Sequence, residues 1–104
     1  MKRIYLCHPI GLDQSRFKEV EFRSRVVQRK LEEHNFEVVN PWDNGVPMSA
    51  PCCEHMQKDF SMLLACDAIF LCDGWEYSSG CRAEFEVAVA CRKELYYEHV
   101  KTLL

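Results

Sequence analysis

Two neighbouring groups near the C-terminal third of the chain have residue types and a spacing that could do chemistry. Ser78, Ser79 and Gly80 directly precede a helical pattern, and Glu84 lies one helical turn further on. The first N–H groups of a helix lack helical partners and favour an anion such as a phosphate. A carboxylate at the position of Glu84 would project toward whatever this turn holds. The alternative is structural, with Ser78 or Ser79 as an ordinary N-cap and Glu84 as a first-turn acid that favours the helix dipole.

The segment before this turn reads as a buried strand. Residues 68–72 form a continuous apolar run, and the turn that follows contains Gly74. Such a run, bounded by a glycine-containing turn, is typical of a parallel strand covered on both faces. Because ligands in open parallel sheets bind at the carboxyl ends of the strands, the turn at 73–80 is predicted to lie at the ligand-binding edge.

The other apolar patterns predict the element order βαβαβαβ. We expect strands at 3–7, 36–39, 67–72 and 95–97, helices at 14–34, 51–66 and 80–93, a loop at 40–50, and a tail or short helical turn at 98–104. This alternation predicts an α/β fold, a small flavodoxin-like or Rossmann-like three-layer sandwich. Its four-stranded parallel sheet should have the order 2-1-3-4, with helices on both faces. That order brings the loop after Cys7 next to the loop after Cys72, and Asn35 is expected to end the first helix in a left-handed conformation.

Length, charge and composition exclude several classes of protein. The 104 residues suffice for one domain, 1–104. The net charge of −3 argues against a nucleic-acid-binding protein, which needs a basic face. No apolar run reaches the ~18 residues of a membrane span, and the N-terminal stretch leaves no room for a signal peptide. The 7 cysteines, odd in number and without a CxxC pair, predict a reduced, cytoplasmic protein.

Two cysteine patterns offer alternative chemistry. Cys52 and Cys53 with His55 suggest zinc, but adjacent cysteines do not easily ligate one ion and no second pair has finger spacing. Cys81, at the start of a helix, could have a lowered pKa and act as a thiol nucleophile in place of Glu84. The sequence favours neither, and we predict no metal and no cofactor.

Three segments carry a resemblance to a known family. They are the opening KRIYLCHPIG, the second-strand segment EEHNFEVVNP, and the long segment KDFSMLLACDAIFLCDGWEYSSGCRAEFEVA. Together they resemble the nucleoside 2-deoxyribosyltransferase superfamily over almost the whole chain, in particular its short bacterial and phage branch, which is similar to nucleoside 5′-monophosphate N-glycosidases. The resemblance implies an enzyme that cleaves or transfers the N-glycosidic bond of a nucleoside or nucleoside 5′-monophosphate.

The resemblance also implies roles for individual residues. Glu84 corresponds to the nucleophile on C1′ of the sugar, Tyr5 to the residue that tunes it, and Asp59 to an acid of the pocket. Ser78 stands where transferases of free nucleosides carry an aspartate and nucleotide hydrolases carry a serine that contacts the 5′-phosphate, which favours a 5′-monophosphate. The residues expected to bind substrate are Ser78, Ser79, Gly80, His8, Pro9, Gly11 and Trp75. A carboxylate beneath C1′ stabilises the oxocarbenium-like transition state and can form a covalent ester.

Three residues near the predicted pocket depart from the family pattern. His8 replaces a small residue, Gly11 comes one position early, and Cys81 replaces alanine or threonine. The C-terminal extension of the transferases is expected to be short or missing. These departures leave the identity of the substrate open.

Other assignments stay open as well. The proton donor to the leaving base could be Asp13, Asp43, Asp59 or Asp73. The protein could instead be a nucleotide-binding module without catalysis, an N-glycosidase for another ribosyl donor, or a structural interaction protein. We expect a small-molecule nucleoside or nucleotide as ligand, no nucleic acid or membrane as partner, and a homodimer that closes the pocket.

Overall fold

The four strands form one parallel sheet in the computed structural model, which describes residues 1–11 and 13–99. The strands are β1 (Lys2–Cys7), β2 (Phe36–Val39), β3 (Ala68–Leu71) and β4 (Glu94–Tyr97), in the order β2-β1-β3-β4. In this register Tyr5 of β1 pairs with Val39 of β2 and Ile69 of β3. The predicted α/β class and strand order are confirmed.

Three helices alternate with the strands and cover both faces of the sheet. They are α1 (Phe17–Glu33), α2 (Cys52–Leu64) and α3 (Ser79–Ala90), and short 3-10 helices occupy Gln14–Arg16, Pro41–Asp43 and Trp75–Tyr77. α1 packs on one face of the sheet, whereas α2 and α3 contact each other and pack on the opposite face. None of the helices among the described residues is both long and apolar enough to cross a membrane.

β1 is completely buried over its last four residues and divides its side chains between the two faces. Ile4 and Leu6 join Leu31 of α1 in one core cluster. Tyr5 and Cys7 join the other cluster, which contains residues of α2 and α3. Because successive side chains of a strand point to opposite faces, β1 presents only apolar groups to α1 and a hydroxyl and a thiol to α3.

The helix ends differ slightly from the predicted ones. The predicted helix 80–93 ends at Ala90, since Arg92 has a positive φ of 57° that a continuing helix does not allow. Asn35 has a φ of 69°, as predicted for the residue that follows α1.

Two connecting segments complete the description. The predicted loop 40–50 contains the 3-10 helix Pro41–Asp43, which Asn40 caps by accepting a hydrogen bond from the backbone N of Trp42 at 2.9 Å. Of the predicted tail 98–104, only residues 98 and 99 are described, and the remainder lies outside the described residues.

Candidate active site

Glu84 is a buried carboxylate on α3 that faces the polar side of β1. Only 9% of the surface of Glu84 is exposed. Tyr5 Oη donates a hydrogen bond to Oε2 of Glu84 at 2.5 Å, and Cys7 Sγ donates one to Oε1 at 3.3 Å. Burial raises the pKa of Glu84 to about 7, against the opposing effect of these two hydrogen bonds, and the charge of Asp59 adds to the rise. Both protonation states of Glu84 are therefore populated near neutral pH, as acid–base or nucleophilic chemistry requires.

Glu84 opens onto a cavity of about 500 Å³, which we call the Glu84 cavity. Every site residue expected from the sequence lines this cavity except Trp75. The lining residues expected from the sequence are Tyr5, His8, Pro9, Gly11, Asp59, Ser78, Ser79, Gly80 and Glu84. The fold thus gathers residues from the ends of β1 and β3 and from α2 and α3 at one edge of the sheet, where parallel sheets bind ligands.

The turn before α3 is shaped by Gly74 and Ser78. Gly74 has a φ of 88°, a left-handed conformation that glycine adopts without strain. Ser78 is the N-cap of α3, because its Oγ accepts a hydrogen bond from the backbone N of Cys81 at 3.3 Å. The structural role considered for Ser78 is therefore realised, and its hydroxyl proton remains able to donate to a ligand in the cavity.

Of the four candidate proton donors, only Asp59, on α2, lines the same cavity as Glu84. Burial raises the pKa of Asp59, although a hydrogen bond from Asn44 Nδ2 to its Oδ1, at 2.9 Å, opposes the rise. Asp43 is instead bound by Arg25 through two hydrogen bonds of 2.8 Å. The remaining two, Asp13 and Asp73, line a second cavity.

This second cavity lies beside α1, and we call it the α1 cavity. Its volume is about 520 Å³, and it shares the loop after β1 and Gly74 with the Glu84 cavity. Its charged lining residues are all exposed: Asp13, Arg16, Arg23, Lys30, Asp73 and Glu98. Exposed charges of this kind are solvated and need no catalytic explanation.

His8 lines both cavities, and its ring forms a hydrogen bond with the backbone of the loop after β1. Its Nδ1 is 2.8 Å from the carbonyl oxygen of Pro9, so Nδ1 carries the proton and donates it there. Burial lowers the pKa of His8, and the neutral ring has an unprotonated Nε2. In this state Nε2 of His8 has no proton to give to a leaving base.

The sequence and the structure differ in which other side chains surround Glu84. Trp75 packs against Phe85 and Tyr97, with ring centroids 4.7 Å and 6.3 Å away, and does not line the cavity. Cys7, in contrast, was not expected to touch Glu84. Because Cys7 lies two residues after Tyr5, both side chains are on the same face of β1. This two-residue period is the sequence signal that could have placed Cys7 beside Glu84.

Further lining residues were not among the catalytic and substrate-binding residues expected from the sequence. They are Ile10, Pro41, Cys52, His55, Met56, Gly74, Tyr77 and Cys81. His55 and Met56 precede Asp59 by four and three positions, so the helical period alone could have placed them on the same side of α2.

The sequence matches one family model over residues 2–97, described as a domain of unknown function, DUF4406. No curated protein matches it significantly. Solved structures with a similar fold include the CMP N-glycosidase BcmB of Clostridium botulinum, with a TM-score of 0.64 and 21% identity over 92% of this chain and 70% of that one. A 2-deoxyribosyltransferase from the psychrotolerant bacterium Bacillus psychrosaccharolyticus has a TM-score of 0.68 and 15% identity, over 98% of this chain and 77% of that one.

A third similar structure is a 2-desoxiribosyltransferase from Leishmania mexicana. Its TM-score is 0.69 and its identity 23%, over 93% of this chain and 63% of that one. At these identities the comparisons establish the fold, and the fold is the one that the sequence resemblance implied.

Proposed function

The chain belongs to the DUF4406 family, and we propose that it cleaves or transfers the N-glycosidic bond of a nucleoside or nucleoside 5′-monophosphate, with Glu84 as nucleophile. The observation that carries this proposal is the buried carboxylate of Glu84, which is held by Tyr5 and Cys7 and opens onto a cavity. A buried carboxylate with a perturbed pKa in a cleft is a feature of active sites. The shared fold with an enzyme named as a CMP N-glycosidase and with two 2-deoxyribosyltransferases supports the same reaction class.

The reaction has two steps. In the first, an oxygen of ionised Glu84 attacks C1′, the C1′–N bond breaks, and the base leaves with the electron pair of that bond. In the second, water or another base attacks C1′, its proton passes to the carboxylate that protonated the leaving base, and Glu84 is released as a carboxylate. Hydrolysis and transfer differ only in this acceptor. Tyr5 fixes the carboxylate through its 2.5 Å hydrogen bond, which keeps one oxygen oriented while the other reacts.

We assign Asp59 as the acid that delivers a proton to the leaving base. It lines the Glu84 cavity, and burial raises its pKa. Its negative charge also raises the pKa of Glu84, so the two carboxyls favour a state in which they share one proton. A pair of carboxyls with one proton suits a reaction that needs one nucleophile and one acid.

The turn Ser78–Gly80 is proposed to hold the 5′ end of the substrate. Ser78 can donate its hydroxyl proton, and the N-terminus of α3 favours an anion. None of the described residues that line the Glu84 cavity is Lys or Arg, so a 5′-phosphate would depend on this helix terminus. A 5′-monophosphate would therefore bind without a Lys or Arg side chain from the described lining of the cavity.

The substitution Ser78→Asp tests this part of the proposal. Aspartate also caps helices, so α3 should remain intact, while its charge repels a phosphate. We expect kcat/KM for 5′-monophosphates to fall about 10- to 100-fold relative to free nucleosides. An unchanged ratio would remove Ser78 from the phosphate site. Ser79→Asp would report whether any nearby charge has the same effect.

The central experiment is base release from a panel of nucleosides and 5′-monophosphates, read by chromatography. Wild-type protein should release a base from at least one donor, and Glu84→Ala should abolish that release. Glu86→Gln is the matched control, because Glu86 is an exposed glutamate two positions further along α3. Absence of release from every donor, with nucleotides still raising the melting temperature, would replace the enzyme with a nucleotide-binding module.

We also propose that the protein works as a cytoplasmic homodimer. Tyr77 lines the Glu84 cavity and is 89% exposed, so a large aromatic ring stands at a side of the cavity that a second copy could cover. Sedimentation should show a dimer whose dissociation reduces base release. A fully active monomer would contradict the dimer without affecting the reaction.

A further inference from the structure

Two cysteines next to Glu84 have no necessary part in the proposed reaction. Cys7 and Cys81 are both buried. Their Sγ atoms and a carboxylate oxygen of Glu84 all lie within 4.8 Å of one another. β1 and α3 bring the two thiols together, although they are far apart along the chain. Thiols and a carboxylate are the ligand types that zinc and other thiophilic cations bind.

We propose that Cys7, Cys81 and Glu84 form a binding site for a thiophilic divalent cation such as Zn²⁺, and that the bound ion blocks the site by occupying the Glu84 carboxylate. Binding at this site can be measured without any substrate. Its failure is therefore distinguishable from a failure of the proposed function.

The geometry needs only small side-chain movements. Zinc–sulfur bonds of about 2.3 Å and zinc–oxygen bonds of about 2.0–2.2 Å place the ligand atoms of a tetrahedral site roughly 3.5–3.8 Å apart. Cys7 Sγ and Oε1 of Glu84 are already 3.3 Å apart. The ligand atoms all lie within 4.8 Å of one another, so no pair has to approach by more than about 1.3 Å.

The ion has a route to the site and a fourth ligand. Cys81 and Glu84 line the Glu84 cavity, so a hydrated ion can reach them through it and keep one water molecule on the cavity side. Binding replaces the thiol protons of both cysteines, and the carboxyl proton of Glu84 where it is present. These protons pass to solvent as the metal–ligand bonds form, and no oxidant or reductant is needed.

This set of ligands differs from the one considered from the sequence. Cys52 and Cys53 are exposed, and they are neighbours on the first turn of α2. The ring of His55 is already engaged, with Nε2 at 3.0 Å from the carbonyl oxygen of Pro47 and Nδ1 at 3.3 Å from Asn44. The candidate metal ligands in the structure therefore lie at the interface of β1 and α3, and not at the start of α2 as the sequence pattern suggested.

Cadmium titration tests the proposal, because cadmium–thiolate bonds give an ultraviolet charge-transfer band. The protein should carry serine in place of the exposed cysteines Cys52, Cys53 and Cys91, which would otherwise bind cadmium as well. We expect one equivalent of Cd²⁺ to produce the band and Zn²⁺ to displace it. Cys81→Ala in this background should weaken Cd²⁺ binding by about 100-fold or more.

The matched control is Cys72→Ala, which removes a buried cysteine from the core cluster on the α1 side of the sheet. It should leave the band and the affinity unchanged. Glu84→Gln keeps both thiols and should weaken binding by about tenfold. Cys7→Ser serves as a second thiol variant if circular dichroism shows that Cys81→Ala does not fold.

Three outcomes would overturn the site. The first is the absence of a charge-transfer band in the protein that retains Cys7 and Cys81. The second is an undiminished band in folded Cys81→Ala or Cys7→Ser. The third is equal Cd²⁺ affinity in Glu84→Gln, which would show that the carboxylate is not a ligand.

Discussion

The Glu84 cavity and the α1 cavity differ in chemistry although they are alike in size. Their volumes are about 500 Å³ and 520 Å³, and they share the loop after β1. In the first, a carboxylate that is 9% exposed has a pKa raised to about 7. In the second, every charged lining residue is exposed. A cavity therefore becomes a candidate active site when it desolvates a titratable group, because desolvation is what changes the ease of ionisation.

The origin of this difference is the alternation of side chains along β1. Ile4 and Leu6 face α1 and offer no polar side-chain atom, so the buried part of β1 holds no charged group on that side. Tyr5 and Cys7 face α3 and supply the two hydrogen bonds that Glu84 needs once it is buried. A buried carboxylate without such partners would cost several kcal/mol.

The largest expected contrast is between Glu84→Gln and Lys30→Gln. The first removes the proposed nucleophile from one cavity and should lower base release by about 10³-fold or more. The second neutralises an exposed charge in the other cavity and should change base release by less than about twofold. Both are measured as kcat/KM on the best donor of the panel. Similar losses in the two variants would show that the cavities do not differ in function.

The next contrast concerns stability and its dependence on pH. Folded Glu84 keeps its proton up to a pKa of about 7, whereas its ordinary value is 4.5. As pH rises between these two values, Glu84 ionises in the unfolded state before it ionises in the folded state. The folded state therefore loses stability, and this loss is complete above a pH of about 7. Glu84→Gln removes the ionisable group, and its free energy of unfolding relative to wild type should rise by roughly 3 kcal/mol across the window.

Denaturant melts of the two proteins at a series of pH values measure this difference. Glu86→Gln, at an exposed position of the same helix, should show no such trend relative to wild type. A gap between wild type and Glu84→Gln that does not depend on pH would contradict the raised pKa of Glu84.

The pH profile of the reaction sharpens the contrast further. The proposed nucleophile must be ionised and the proposed acid Asp59 protonated, so kcat/KM should rise with pH toward the Glu84 pKa of about 7 and be roughly 100-fold lower two pH units below it. At higher pH it should fall again as Asp59 loses the proton that the leaving base needs. The profile is measured on a nucleoside, whose own ionisation does not change in this range. Activity that is highest near pH 5 and falls steadily toward pH 7 would instead indicate that protonated Glu84 acts as an acid.

The smallest expected effect is that of Tyr5→Phe. Its hydroxyl donates to Glu84 and favours the ionised carboxylate. Without it the pKa of Glu84 should rise, and kcat/KM at neutral pH should fall by about tenfold. The readout is the midpoint of the pH profile, which should move to higher pH. A lower rate with an unmoved midpoint would mean that Tyr5 only supports the packing of the core.

Parts of the site could be predicted from the sequence because they depend on short spacings. The interval from Gly80 to Glu84 is one helical turn, and Ser78 precedes the helix that it caps. The resemblance to the nucleoside 2-deoxyribosyltransferase superfamily added Tyr5 and Asp59, and both lie in the Glu84 cavity. Trp75 was expected there too, but its ring packs on Phe85, because a large apolar surface is more stable against other apolar groups than in an open cavity.

The sequence by itself determined the order of elements and the parallel sheet, because continuous apolar strands alternating with amphipathic helices have few other ways to bury their apolar faces. Only the tertiary structure decided which distant side chains meet. It paired Glu84 with Tyr5 and Cys7, placed Asp59 but none of the other three candidate acids in the Glu84 cavity, and placed Cys81 beside Cys7. The physical reason is that the packing of a helix on a strand brings together residues that are far apart in the sequence. The burial that results changes the pKa of a carboxyl group such as that of Glu84. Neither effect produces a pattern in the local sequence.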